Sequence, residues 1–193
     1  MKRLIFVFAL LVAASSLVAG SALAAKPDGA GNQLRCFSGG GGTCTLDRAG
    51  KTAFLVTGTA PPGYAGVELV SGKSLIGRTL SSIDYSFSYA CDVGDPCVGA
   101  GSPRLSIPID STGDGVTDAY AFLHANTCGT TPSTSGTVST TDPLCQVYYD
   151  TIYSNWDAFV LANPTYTIGN GHGWVVADDD FEGTISNFSA KKS

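Results

Sequence analysis

The clearest chemistry in this chain lies in an acidic, glycine-bent loop, residues 110–118, between two strand-like segments. Asp110, Asp114 and Asp118 recur at a spacing of four residues, and Thr112 stands between the first two. Calcium takes about six to eight oxygen ligands from carboxylates, hydroxyls and backbone carbonyls. We therefore predict a structural calcium site with the ligands Asp110, Thr112, Asp114, Val116 (through its carbonyl) and Asp118.

The loop departs from an EF-hand-type calcium loop at two points. Thr112 replaces an acidic or amide residue, and Ala121 stands where a bidentate glutamate would be. A calcium ion would need a further oxygen donor, for which the acidic run at residues 178–180 is the candidate. The alternative is a plain hairpin turn, because an Asp-Gly pair is favoured where glycine adopts a positive φ.

Residues for catalysis are sparse. Glu68 and Glu182 are the two glutamates, and the chain has no G-x-S-x-G or H-E-x-x-H motif. His124 lies at strand spacing from Tyr120 and Phe122, where a Tyr–His pair would suit a lyase. We predict no catalytic residue, and we keep a polysaccharide-active hydrolase or lyase as the alternative function.

The N-terminus and the cysteines indicate export to an oxidising compartment. Residues 1–24 have the basic start, apolar run and small-residue cleavage site of a signal peptide. Residues 25–193 are then expected to form a single secreted domain with no membrane span after cleavage. An even number of cysteines in such a chain predicts three disulfides. The six are Cys36, Cys44, Cys91, Cys97, Cys128 and Cys145.

A predicted hairpin favours one pairing of these cysteines. If the hairpin turns near Asp114, residue 104 faces residue 124, and the segments carrying Cys97 and Cys128 end side by side. The favoured set is Cys97–Cys128, Cys91–Cys145 and Cys36–Cys44. The competing set replaces the first two bonds with Cys91–Cys97 and Cys128–Cys145.

Alternating side chains predict an all-β fold. Residues 82–89 and 104–110 alternate apolar with polar or outward-facing side chains, which places one face of each strand on a core. Pro108 lacks an N–H and predicts an edge strand or a bulge. Further strands are expected at residues 53–57, 64–70, 118–125, 146–152, 174–177 and 183–190.

One helix is expected, with Ser154 and Asp157 as its capping pair and Asn163 before Pro164 as its end. Residues 39–42 and the Ser/Thr-rich residues 129–143 are expected to be loops. The predicted fold is an all-β, two-sheet antiparallel sandwich of jelly-roll type, with one short helix and three disulfides.

The composition limits the partners. The formal net charge is −5, and after the expected signal peptide the basic residues do not cluster except at Lys191 and Lys192, so nucleic acid is not an expected partner. Aromatic residues are dense in the last third of the chain, and exposed Tyr and Trp rings stack on sugars. The alternative is that these rings fill the core, as we expect for Trp174. The predicted partner is an extracellular polysaccharide or glycan.

Residues 80–190 resemble a group of uncharacterised exported bacterial β-sandwich proteins. The resemblance rests on the alternating strand, the segment from Cys97 to Leu105, the acidic loop, residues 126–128, the helix at Trp156, residues 174–176 and the closing residues 184–188. The overall pattern is also similar to jelly-roll carbohydrate-binding modules and lectin-like sandwiches. That similarity implies a secreted glycan-binding module; a cell-surface structural protein without a small ligand is a further alternative.

Overall fold

The structure is a computed structural model that describes residues 33–47, 51–57, 63–70, 75–92, 102–129, 134–178 and 181–193. The expected signal peptide, Cys97, Asp179 and Asp180 lie outside the described residues. Predictions that rest on those residues therefore stay predictions.

Within the described residues, thirteen strands and one α-helix are present, together with short 3-10 turns at Leu80–Ser82 and Ala125–Thr127. The strands are β1 (Gln33–Gly39), β2 (Thr43–Asp47), β3 (Thr52–Val56), β4 (Tyr64–Val70), β5 (Ile83–Cys91), β6 (Arg104–Asp110), β7 (Ala119–His124), β8 (Ser135–Ser139), β9 (Val147–Tyr148), β10 (Ile152–Tyr153), β11 (Thr167–Ile168), β12 (Gly173–Asp178) and β13 (Glu182–Lys192). The helix is α1 (Trp156–Ala162).

The strands form two antiparallel sheets. The eight-stranded sheet has the order β1-β4-β12-β6-β7-β9-β10, and β11 pairs with β6. The five-stranded sheet has the order β2-β3-β13-β5-β8. The protein is therefore an all-β, two-sheet antiparallel sandwich with one short helix, as predicted.

The core follows the alternation of the sequence. Along β5 the buried side chains are Ile83, Tyr85, Phe87 and Tyr89. Along β6 the inward residues from Leu105 to Ile109 are fully buried, and the residues between them are buried too. Burying a large apolar side chain stabilises a fold by about 1.5–3 kcal/mol. The side chains on the inward faces of the two sheets thus supply the main stabilisation of the fold.

The predicted hairpin of β6 and β7 has the expected register, because Arg104 pairs with His124. The prediction that Pro108 marks an edge or a bulge is wrong, since β6 lies inside the sheet. On the side away from β7, β12 pairs only with the start of β6 and β11 only with its end. Pro108 falls in the gap between those two partners, so its missing N–H breaks no ladder bond.

The helix is where the sequence places it, but its cap is different. Asn155, not Ser154, caps α1, because its side chain accepts the N–H of Ala158 at 2.9 Å. Trp156 and Phe159 are buried. Asn163 ends the helix, with its N–H donating to the carbonyl of Phe159.

The favoured disulfide pairing is wrong in two of its three bonds. Cys36–Cys44 and Cys128–Cys145 are bonded, which excludes Cys97–Cys128 and Cys91–Cys145. The 3-10 turn after β7 diverts the chain, so the hairpin register does not extend to Cys128. Of the three disulfides that the cysteine count predicts, two have both cysteines within the described part of the chain. Cys91 is disulfide-bonded as well.

The loop predictions are partly wrong as well. Residues 129–143 contain β8, which pairs with β5 at the edge of the smaller sheet, although the Ser/Thr-rich composition indicated a loop. Residues 39–42 form a turn between β1 and β2, closed by the N–H of Gly42 on the carbonyl of Gly39 at 3.0 Å. The segment at residues 146–152 gives two short strands, β9 and β10, rather than one.

Candidate functional site

The acidic loop after β6 is organised around the carboxylate of Asp110, which is 1% exposed. Its Oδ1 accepts the N–H groups of Thr112 at 3.1 Å and Gly113 at 2.6 Å. Its Oδ2 accepts the N–H of Gly115 at 2.8 Å and the hydroxyl of Thr167 at 3.0 Å. Both oxygens are thus used to hold the loop and to join it to β11.

The other two aspartates of the loop bind its backbone too. Asp118 Oδ2 accepts the N–H and the hydroxyl of Ser111, at 2.8 and 2.7 Å, and the N–H of Thr112 at 3.2 Å. Asp114 Oδ1 accepts the N–H of Val116 at 2.8 Å. These bonds account for the spacing of the aspartates without a ligand.

The hydrogen bonds set the pKa values of two of these carboxyl groups. Burial would raise the pKa of Asp110, but the N–H groups of Gly115 and Gly113 and the Thr167 hydroxyl lower it below its usual value. The Ser111 hydroxyl and N–H lower the pKa of Asp118. Both groups therefore stay ionised at neutral pH.

As folded, the loop fits a calcium ion poorly. Among the described residues, no group of three or more His, Cys, Asp or Glu side chains lies close enough together to hold a metal ion. Asp178 does not complete the set of ligands, because it lies beyond the Arg104 end of β6 and Asp110 lies at the other end. At about 3.3 Å per residue, the two aspartates are more than about 20 Å apart. Calcium binding by Asp110, Thr112, Asp114, Val116 and Asp118 stays a prediction.

A second candidate site lies on the outer face of the larger sheet. Four aromatic rings, which we call the aromatic ribbon, cross this face in the order Tyr64, Phe37, Trp174 and Tyr120. Their successive ring centroids are 6.4, 5.6 and 5.3 Å apart. Tyr64 is 43% exposed and the other three are half-buried. Adjacent rings of this kind give a continuous, partly apolar surface.

Glycines hold part of the ribbon flat against the sheet. A methyl group added at Gly66 would overlap the Phe37 ring, and one added at Gly39 would lie 2.6 Å from the Tyr64 ring. Each ring therefore lies over the backbone of a glycine on the neighbouring strand, an arrangement that also protects that backbone. These two rings therefore pack directly on the backbone of the sheet.

Ion pairs border the ribbon. Arg35 Nε donates to Glu68 at 2.7 Å, and Glu68 is the register partner of Trp174. Arg104 donates to Asp178 at 3.0 Å, with both side chains 30% exposed. Both ion pairs lie on the larger sheet.

His124 lies beside the second ion pair. Its ring packs edge-on against Tyr148, with the centroids 5.0 Å apart, and its register partner is Arg104. Burial, and then the charge of Arg104, lower the pKa of His124 below its usual value, while Asp178 acts in the opposite direction. The imidazole is therefore uncharged at neutral pH.

The centre of the face holds two polar atoms that lack partners. Ser106 Oγ and Trp174 Nε1 are buried and make no hydrogen bond, and the two residues are register partners on β6 and β12. Leaving a buried polar group unsatisfied costs about 1–3 kcal/mol. Such groups in a folded protein need an explanation.

The sequence located this site only in part. His124 does share a face with Tyr120 and Phe122, as predicted. The prediction that Trp174 lies in the core is wrong, because Val175 and Ala177 point inward and the alternation turns Trp174 outward. Phe37 was missed because β1 was not predicted, and no local signal pairs it with Trp174.

Comparisons with protein-family models, with curated proteins and with solved structures found no match for this chain. No helix in the described residues is long and apolar enough to cross a membrane. The assignment of function therefore depends on the two outer-face features, the aromatic ribbon and the polar groups around it.

Proposed function

We propose that this protein is a secreted carbohydrate-binding module that holds a glycan on the aromatic ribbon of its larger sheet. The observation that carries the proposal is the ribbon itself: a row of partly exposed rings on an ordered sheet surface, bordered by polar groups. A sugar presents an apolar C–H face and a polar rim of hydroxyls, which matches rings flanked by hydrogen-bonding side chains.

The ribbon is organised before any ligand arrives. Phe37 and Tyr64 lie over glycines, and Trp174 is packed between Phe37 and Tyr120. Rigid rings lose little conformational entropy on binding, so a larger part of the contact energy appears as affinity. This supports a binding surface in preference to a set of rings that only cover the sheet.

The strand order supports a jelly roll, the fold that we expect from the sequence. Eight strands form its framework: β3, β4, β5, β6, β7, β8, β12 and β13. The smaller sheet holds four of them in the order β3-β13-β5-β8, and the larger sheet holds the other four in the order β4-β12-β6-β7. If the eight strands are numbered along the chain, these orders are 1-8-3-6 and 2-7-4-5. Lectin domains use this architecture, which is an analogy of fold and not of function.

The disulfides support a secreted location. Cys36–Cys44 and Cys128–Cys145 are bonded, and structural disulfides persist in oxidising compartments. Extracellular glycans are accessible to a protein in that location.

The test is binding to a panel of insoluble and soluble polysaccharides by the wild type and by Trp174→Ala and Tyr120→Ala variants. We expect each substitution to weaken binding at least about tenfold, the equivalent of about 1.4 kcal/mol. The matched control is Phe54→Ala, since Phe54 is 36% exposed on the outer face of the other sheet. No binding by the wild type, or an equal loss in the control, would refute the proposal.

A lyase is the second candidate, and one observation favours it: Arg104, His124 and Tyr148 lie together at the border of the ribbon. Their chemistry suits removal of a proton next to a sugar carboxylate, with the arginine facing that carboxylate. Release of unsaturated sugars from the polysaccharides of the panel, abolished by His124→Ala, would identify this activity. Binding without release assigns the protein to the first function.

A further inference from the structure

We infer that Ser106 and Trp174 form a hydrogen-bonding subsite at the centre of the outer face, and that the subsite takes a hydroxyl group of an uncharged glycan. This inference rests on the proposed function, and it adds the atoms that bind the sugar and the chemical class of the ligand. Trp174 supplies its Nε1–H as a donor, and Ser106 supplies an Oγ that both donates and accepts.

The hydroxyl of Ser106 differs from the other buried hydroxyl groups that the structure describes. Thr57 donates to the carbonyl of Phe181 at 3.3 Å, and Thr140 donates to that of Tyr85 at 3.4 Å. Ser102 accepts the N–H of Asn126 at 3.0 Å. Ser106 is equally buried, at 0% exposure, yet its Oγ has no partner. Its hydroxyl is therefore unsatisfied in the free protein.

Their position fits a sugar that lies on the ribbon. Trp174 belongs to the ribbon, and Ser106 is its register partner on the next strand, on the side towards Phe122 and Tyr148. A sugar stacked on the Trp174 ring would place its hydroxyl rim beside this pair. Both atoms are buried, so the indole must move when a sugar binds before one sugar hydroxyl can reach them.

The electrostatics of the face favour an uncharged ligand. Arg35 is paired with Glu68, and Arg104 is paired with Asp178. His124 is neutral, as its lowered pKa indicates. A uronate or a sulfated sugar would have to compete for an arginine that already has a carboxylate partner. A neutral sugar needs no such exchange.

Substitutions that remove one polar atom at a time test the inference. Trp174→Phe keeps a ring but removes Nε1–H, and Ser106→Ala removes only the hydroxyl. We expect each to weaken binding of neutral oligosaccharides about three- to tenfold, the value of one hydrogen bond. Ser88→Ala is the matched control, because the Ser88 hydroxyl lies on the other sheet and is 3.2 Å from that of Thr137. It should leave binding unchanged.

Thermal stability gives a readout that needs no glycan. Since the Ser106 hydroxyl has no partner in the free protein, Ser106→Ala should leave the melting temperature unchanged or raise it. A marked fall would show that the hydroxyl is already satisfied and would overturn the inference, whatever the glycan panel shows.

The outcomes separate the inference from the proposed function. If Trp174→Ala abolishes binding while Trp174→Phe and Ser106→Ala bind as the wild type does, the ribbon binds glycans but the subsite is wrong. If only uronate-containing or sulfated glycans bind, the ligand class is wrong. If the wild type binds no glycan, both the inference and the proposed function fail.

Discussion

Replacing Asp110 tests whether the acidic loop is held by its own hydrogen bonds. Asp110→Ala would remove an acceptor that binds three backbone N–H groups and the hydroxyl of Thr167. The loss would free the loop from β11, because Thr167 is the register partner of Asp110. We therefore expect a less stable protein with the same fold.

The size of the effect follows from the number of these bonds and from the exposure of their donors. A hydrogen bond to a charged group contributes about 1.5–3 kcal/mol. Gly113 is exposed, so its N–H would be solvated by water after the substitution. The contributions of the four hydrogen bonds are also not additive, because they share one carboxylate. We expect Asp110→Ala to lower the free energy of unfolding by about 2–4 kcal/mol, which is about 5–15 °C in melting temperature.

The assay is a thermal melt at several pH values, with Asp114→Ala as the matched control. Asp114 is exposed and accepts one N–H, that of Val116, so its loss should cost about 1 kcal/mol or less. The pKa of Asp110 is lower in the folded than in the unfolded chain. Its contribution is therefore complete above the unfolded value of about 3.9 and is lost as the pH falls through the folded value. The difference between the wild type and Asp110→Ala should shrink in acid.

Calcium and EDTA complete the assay. If hydrogen bonds alone hold the loop, neither calcium nor EDTA should change the melting temperature of the wild type. A calcium-reversible rise that Asp114→Ala abolishes would establish the calcium site and refute the reasoning that these hydrogen bonds replace a metal. An equal loss of stability in both variants would also contradict it.

Three further predictions follow from other parts of the fold. Gly66→Val should destabilise the protein and shift its tryptophan fluorescence, because the added side chain would overlap the Phe37 ring and the backbone of β12. Replacing Cys128 and Cys145 together with serine should lower the free energy of unfolding by about 3 kcal/mol, measured in urea, because the bond closes a loop with a sequence separation of 17. Burial lowers the folded-state pKa of His124, so stability should fall as the pH drops below about 6.5, and His124→Gln should flatten that part of a urea-midpoint curve.

The elements that depend on local pattern were predictable from the sequence. The period-two alternation places Tyr85 and Phe87 in the core, and the glycines of the acidic loop set the register of Arg104 with His124. The strands expected at residues 53–57, 64–70, 118–125, 174–177 and 183–190 are present, with ends that differ from the expected ones by at most two residues. The local sequence pattern is enough to predict a strand pair when the two strands and their turn are adjacent in sequence.

The features that depend on distant contacts were not predictable. Phe37 meets Trp174 because β4 lies between β1 and β12, and no local pattern carries that order. The Cys128–Cys145 bond was misjudged because a 3-10 turn ends the hairpin register. The aspartate spacing indicates a calcium site, which stays a prediction. The backbone N–H groups that the same carboxylates accept lie at positions that only the folded loop defines.

The most direct test of the central claim is a titration of ¹⁵N-labelled protein with neutral oligosaccharides from cellulose, xylan, mannan and chitin. The chain has two tryptophans, and their indole N–H signals report on different places. Trp156 is 4% exposed and donates to the carbonyl of Leu80, while Trp174 lies on the ribbon. We predict that a bound oligosaccharide shifts the Trp174 signal and leaves the Trp156 signal in place. Binding that leaves the Trp174 signal unmoved, or no binding by any of the four, would contradict the account.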